Sequence, residues 1–164
     1  MQVTPDVVAA ERDRIDDRAD IVVPLINDVR RDLAAAFDTS VDPVVTRQYH
    51  TAVDTVFADG DVAVNVAALS ALLRDLDVSE DYPGFVVDEY LGRRLAATIA
   101  GRDPLALLAE ATFHYADVLT GDSGDEPAGV DDRDAALAAG FQTRLPGWEW
   151  RRGPSPFGIG ARER

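Results

Sequence analysis

The chain contains neither lysine nor cysteine. Without cysteine it can form no disulfide, no thiolate metal site and no cysteine nucleophile. No apolar run approaches the ~20 residues that span a bilayer. The first residues, Met-Gln-Val-Thr-Pro-Asp, have neither the basic nor the apolar region of a secretory signal. These absences predict a cytoplasmic protein without a membrane segment.

Acidic residues dominate what is present. All 16 basic residues are arginine, and they stand against 30 acidic residues, of which 23 are aspartate, for a net charge of −14. At ~1 M salt the Debye length falls to ~3 Å, which largely screens the repulsion between exposed carboxylates. This composition resembles that of proteins from salt-in halophilic archaea, although a GC-rich genome would favour many of the same codons. In molar salt, net charge says little about the partner.

Apolar periodicity predicts an all-α bundle of about five helices. The first, over residues 5–37, carries apolar residues three and four apart on both sides of Pro24. The phase is kept across the proline, which predicts one long helix kinked there. The other predicted helices cover residues 43–58, 62–77, 84–100 and 104–120, with a short sixth over 132–139. We divide the chain into a helical bundle (1–120), an acidic glycine-rich loop (121–132), and a short helix with an irregular tail that packs on the bundle or extends from it (133–164).

The C-terminal tail differs from the rest of the chain. Residues 141–164 contain both tryptophans and five arginines against two glutamates. Tryptophan and arginine dominate protein–protein hot spots, and the same side chains can stack on bases and pair with phosphates. The residues expected to contact a partner are Arg144, Trp148, Trp150, Arg151, Arg152 and Phe157. Alternatively the tail folds back, so that its arginines meet the acidic bundle and its aromatic rings cover the core.

Two histidine–carboxylate pairs have helical spacing. His50 precedes Asp54 by four residues, and Glu110 precedes His114 by four. Two such pairs on neighbouring helices could form a two-histidine, two-carboxylate metal site of the kind that helical bundles build. The alternative is a partly buried His114 whose hydrogen bonds are satisfied within the chain.

Asp16-Asp17-Arg18-Ala19-Asp20 matches the DDxxD pattern and resembles the magnesium-binding motif of isoprenyl-diphosphate enzymes. Carboxylates four residues apart share one helix face and can bridge hard cations. Those enzymes also use a second acidic motif and a larger helical fold. Because aspartate is so abundant here, the alternative is a solvated acidic face.

The sequence as a whole predicts a non-catalytic interaction or regulatory module without a cofactor. It contains no glycine-rich phosphate loop and no nucleophile-elbow motif. We expect a protein partner at the C-terminal tail, with a nucleic acid as the alternative partner. A third reading is a small metal- or diphosphate-dependent helical enzyme. Oligomeric state is not encoded in these patterns.

Overall fold

The computed structural model describes residues 2–76, 86–120 and 128–148. This part of the chain is mostly helical and contains no strand, which confirms the all-α prediction. It has seven α-helices where about five and a short sixth were predicted, and a π-helical segment, Val87–Gly92, leads directly into the fifth. The helices are α1 (Pro5–Asp16), α2 (Ala19–Ala36), α3 (Thr46–Ala58), α4 (Gly60–Asp75), α5 (Arg93–Ala100), α6 (Leu105–Thr120) and α7 (Ala128–Gln142).

The N-terminal helix is divided after Asp16 and is not one helix kinked at Pro24, so that prediction is wrong. Pro24 lies inside α2, in its second turn. The division lets the two helices pack on different neighbours, because α1 contacts α3 and α4 whereas α2 contacts α3, α6 and α7. The predicted apolar stripe is nevertheless buried along most of its length, at Ile15, Ala19, Val22, Ile26, Val29 and Leu33.

Helix α7 lies at the centre of the bundle. It contacts α2, α3, α4, α5, α6 and the π-helical segment. Every residue from 132 to 143 is buried. The helix is therefore longer than the predicted 132–139, and it begins inside the range expected to be an acidic loop. Alanine and glycine fill much of it, which allows neighbouring helices to approach closely from several sides.

The segment after α7 returns to the connection between α2 and α3. Trp148 forms an isolated antiparallel bridge with Val41, and the Asp42 N–H donates to the Gly147 carbonyl at 3.2 Å. The same connection is fixed to α2 by Asn27, which accepts from the Val44 N–H at 2.7 Å and donates to the Val44 carbonyl at 3.0 Å. These hydrogen bonds place residues 143–148 against α3.

Helices α3 and α4 meet at Asp59 and are bent by 112°. The Asp59 carboxylate accepts from the N–H groups of Asp61 (3.1 Å) and Val62 (3.2 Å), which caps α4 where α3 ends. Among the described residues, no single helix has the length and apolar composition needed to cross a membrane, and this bent pair has them only when both helices are taken together.

Candidate functional site

A groove of about 600 Å³ lies between α3, the α5–α6 connection and the segment that follows α7. This volume falls within the ~300–1,000 Å³ of typical ligand pockets. The polar lining consists of Arg47, Gln48, Thr51, Thr55, Thr143 and Arg144. The apolar lining consists of Ala52, Ala100, Leu105, Leu145 and Pro146. Such a surface suits a ligand that has both a charged and an apolar part.

The two arginines of this groove, Arg47 and Arg144, have no carboxylate partner among the described residues. Arg47 is exposed in the first turn of α3. Arg144 donates from Nε to the Ile99 carbonyl at 2.5 Å, and its partial burial lowers its pKa from the usual value. Several other arginines pair with acids of the chain itself, as Arg12 does with Asp54. Both groove guanidiniums therefore keep N–H donors that no described carboxylate occupies.

The uncharged polar side chains of the groove offer both donors and acceptors. The Gln48 Oε1 accepts from the Val45 N–H at 3.0 Å, so the Gln48 amide nitrogen keeps its donors. The hydroxyls of Thr51, Thr55 and Thr143 each donate to a backbone carbonyl three or four residues earlier, at 3.0, 3.0 and 2.7 Å. Thr51 and Thr55 are exposed, so their oxygens remain accessible as hydrogen-bond acceptors, whereas Thr143 is buried, with 1% of its surface exposed.

The described lining of the groove offers hydrogen-bond donors, hydrogen-bond acceptors and apolar surface to a ligand. No histidine, cysteine, tyrosine or carboxylate appears among the described residues that line it. General acid–base and nucleophilic catalysis need such a group within hydrogen-bond reach of the reacting atoms. The threonines have no base beside them among those lining residues. The features that this lining presents are therefore those that bind and orient a ligand.

The wall of the groove formed by residues 143–146 is held in place by Arg30 of α2. The side chain of Arg30 is buried, with 1% of its surface exposed. Its guanidinium lies 5.4 Å from the centre of the Trp148 ring, within cation–π range. Its two Nη atoms donate hydrogen bonds of 2.7–3.2 Å to four backbone carbonyls, those of Asp42, Gln142, Leu145 and Pro146.

The charge of Arg30 and the conformation of Gly147 both maintain the contact between the Arg30 guanidinium and these backbone carbonyls. Desolvation lowers the pKa of Arg30 to about 10, while the charge of Asp42 opposes the change, so the guanidinium stays protonated at neutral pH. Gly147 adopts a positive φ of 110°, and a Cβ there would lie 3.0 Å from the Asp42 carbonyl oxygen and 3.1 Å from Nη1 of Arg30. Only glycine lets the backbone pass this close to the guanidinium.

The structure separates the residues that were expected to contact a partner. Trp148 is in the core, with 7% of its surface exposed, so for this residue the intramolecular alternative holds. Its ring packs under Arg30 and does not face a partner. Arg144 lies in the groove. The remaining four, Trp150, Arg151, Arg152 and Phe157, lie outside the described residues.

A second charged cluster is buried between α1, α4 and α7. Glu11 is 1% exposed, and its carboxylate accepts from the Ser70 hydroxyl at 2.8 Å and is paired with Arg74. Nearby, the Nε of Arg18 donates to Asp134 at 3.1 Å. Each carboxylate has a cationic partner on another element, which is what a buried charge requires. We interpret this cluster as a structural link between helices.

The geometry does not assemble the predicted metal site of His50, Asp54, Glu110 and His114. The Nδ1 of His50 lies 2.6 Å from Oδ1 of Asp16. Asp54 forms the arginine pair described above, and Glu110 lies 3.8 Å from an arginine of α5. In the described ranges no three histidine, cysteine or carboxylate side chains are placed to hold a metal ion. His114, expected to be partly buried, is exposed.

The aspartates of the DDxxD pattern fall at the division between α1 and α2. Asp16 ends α1, Asp17 follows it, and Asp20 lies in the first turn of α2. The three carboxylates are therefore not on one continuous helix face, as binding a metal diphosphate through this motif would require. The Asp16 carboxylate instead forms a hydrogen bond with Nδ1 of His50.

Sequence reasoning missed Arg30 and Arg47. Arg30 lies four residues after Ile26 and three before Leu33, so its place on the apolar face of α2 was a usable signal. Arg47 has no acidic residue three or four positions away on either side, unlike an arginine that forms a local helical pair. An arginine without such a neighbour is a candidate for a ligand contact.

Comparison with known proteins gives one match. A family model described as "Domain of unknown function (DUF7984)" matches residues 1–161. No curated protein and no solved structure matches the chain significantly.

Proposed function

The chain belongs to the DUF7984 family, and we propose that it is a non-catalytic, cytoplasmic interaction module that contacts a macromolecular partner at the groove between α3 and the segment after α7. The proposal keeps the contact in the C-terminal region of the chain. It moves the contact from Trp148, which is buried, to Arg144 and the newly identified Arg47. A protein is the favoured partner.

One observation carries this proposal: two arginines line the same groove of a strongly acidic chain, and neither has a carboxylate partner among the described residues. By contrast, one or more arginines on each of α1, α2, α4 and α5 pair with acids of the chain itself. Arginine is also enriched among the residues that dominate binding energy at protein interfaces. An anionic group of a partner would pair with these two arginines in place of a carboxylate of the chain itself.

A nucleic acid fits the groove less well. A single strand carries one negative charge every ~3.4 Å, so it would extend beyond two arginines onto a surface where acids outnumber basic residues 30 to 16. The stacking expected from Trp148 is also lost, because that ring is buried. Both points favour a protein that places one anionic group in the groove.

The test is affinity purification from a salt-in halophilic host at molar KCl, using tagged wild-type protein, Arg47→Gln and Arg94→Gln. Both variants remove one exposed positive charge, but Arg94 lies on α5 and does not line the groove. A hydrogen bond to a charged group contributes about 1.5–3 kcal/mol. We therefore expect at least one co-purified protein to fall about tenfold or more with Arg47→Gln and to stay unchanged with Arg94→Gln.

The proposal fails if wild-type protein and Arg47→Gln recover the same proteins in the same amounts. It also fails if the wild-type protein recovers nothing above an unrelated tagged control. Arg47 is exposed, and its side chain forms no hydrogen bond or ion pair with the described residues, so Arg47→Gln should fold as the wild-type protein does.

A further inference from the structure

We propose that the groove recognises a carboxylate of an acidic peptide segment whose neighbouring residue is apolar. The inference rests on the proposed function, because it names the chemistry of the partner at the same groove. It follows from the donors, the acceptors and the apolar surface that the groove presents together.

The donors of the groove suit a carboxylate. Arg47 offers a whole guanidinium, and Arg144 offers its Nη groups because its Nε is already bound to Ile99. The amide nitrogen of Gln48, one residue after Arg47, adds an uncharged donor. A guanidinium presents two parallel N–H groups that match the two oxygens of a carboxylate, and such charge-assisted bonds are roughly twice as strong as neutral ones.

The acceptors of the groove suit a peptide backbone. The exposed Thr51 and Thr55 hydroxyls have used their protons on backbone carbonyls of the chain itself. Each oxygen can therefore accept from a ligand but has no proton left to donate to one. A phosphate or a free dicarboxylate has no N–H to give them at neutral pH, whereas an extended peptide has one at nearly every residue.

The apolar part of the groove suits an aliphatic side chain next to the acid. Leu105, Leu145 and Pro146 line it together with Ala52 and Ala100. Burying a leucine-sized side chain contributes about 1.5–3 kcal/mol, and this term does not weaken in concentrated salt as exposed ion pairs do. An acid beside an aliphatic residue would thus use both halves of the groove.

Fluorescence anisotropy at molar KCl tests the inference with a labelled eight-residue peptide of alternating glutamate and leucine. The comparison ligands are the same peptide with glutamine in place of glutamate, and a labelled eight-nucleotide thymidylate. We expect the glutamate peptide to bind wild-type protein and Arg94→Gln equally. The glutamine peptide and the thymidylate should each bind at least about tenfold more weakly, as expected when a charge-assisted hydrogen bond is lost.

Three variants locate the binding. Arg47→Gln and Arg144→Gln should each weaken the glutamate peptide about tenfold or more. Thr51→Glu, at an exposed position of α3, should abolish binding by placing a carboxylate inside the groove. Because Arg144 also bonds to Ile99, Arg47→Gln and Thr51→Glu remain decisive if Arg144→Gln fails to fold.

The inference is overturned if the glutamate peptide does not bind, if it binds Arg47→Gln as tightly as wild type, or if thymidylate binds as well. These failures are distinguishable from failure of the proposed function. If protein capture depends on Arg47 but the peptide does not bind, the interaction module stands and the acidic-peptide ligand is wrong.

Discussion

At the scale of the residue, Arg30 of α2 holds distant parts of the chain together. Its neighbours on the stripe, Ile26, Val29 and Leu33, were predicted to be buried and are. Arg30 was not predicted, because three of its hydrogen-bond acceptors are carbonyls more than 100 residues later. Backbone carbonyls leave no mark on the sequence, so local patterns could show that Arg30 faces the core but not what it binds there.

Arg30→Met should lower the free energy of unfolding by at least about 2 kcal/mol, because four backbone carbonyls lose their donor and two of these hydrogen bonds are buried. The matched control is Arg31→Met. Arg31 is the next residue, is exposed and pairs only locally with Asp28, so its replacement should change stability by no more than about 0.5 kcal/mol. Urea unfolding at molar KCl measures both. Equal losses for the two variants would contradict the role given to Arg30.

At the scale of the element, α7 shows where periodicity stops being informative. Helices whose apolar residues repeat three and four apart, such as α3 and α4, were predicted near their observed positions. Helix α7 is buried on all sides, and its buried start is charged, with Asp132, Arg133 and Asp134 each at most 5% exposed. Residues 121–132 resembled an exposed loop and the predicted helix began only at 132, so both the length and the central place of the helix were underestimated. Burial of charge depends on partners such as Arg18, which only the fold brings near.

Gly140 was expected to end a short helix, but it lies inside α7 where that helix crosses α5. A Cβ on Gly140 would lie 2.8 Å from the Ile99 Cβ and 2.9 Å from the Ala96 carbonyl oxygen. Gly140→Ala should therefore cost about 1–3 kcal/mol through overpacking. At Gly60 nothing lies within 4 Å of an added Cβ, so Gly60→Ala should be neutral or slightly stabilising.

Chemical denaturation of these two glycine variants under identical salt conditions makes the comparison. If Gly140→Ala were as stable as the wild-type protein, α5 and α7 could not be packed as closely as the structure has them. A loss of stability in Gly60→Ala of the same size would point instead to a general effect of alanine at these positions.

At the scale of the whole molecule, the groove is the candidate binding site because it combines a ligand-sized volume with two arginines that have no described carboxylate partner. The sequence predicted an acidic, all-α chain with a partner contact in its C-terminal region, and it predicted Arg144 as part of that contact. It could not predict that Arg47 and Arg144 line one groove, because the contacts that bring α3 to the segment after α7 join residues about 100 positions apart, such as Asp42 and Gly147. Adaptation to molar salt stays a prediction from composition. If correct, it requires a site whose binding depends on close contact and burial, since long-range attraction is screened within ~3 Å at 1 M.

The most direct measurement is a nuclear magnetic resonance titration that follows the arginine side-chain Nε–Hε signals while the glutamate–leucine peptide is added at molar KCl. The account predicts saturable shifts of the Arg47 and Arg144 signals at the same peptide concentration, with the Arg94 signal unchanged. Unmoved Arg47 and Arg144 signals, or equal small shifts of every exposed arginine, would contradict it.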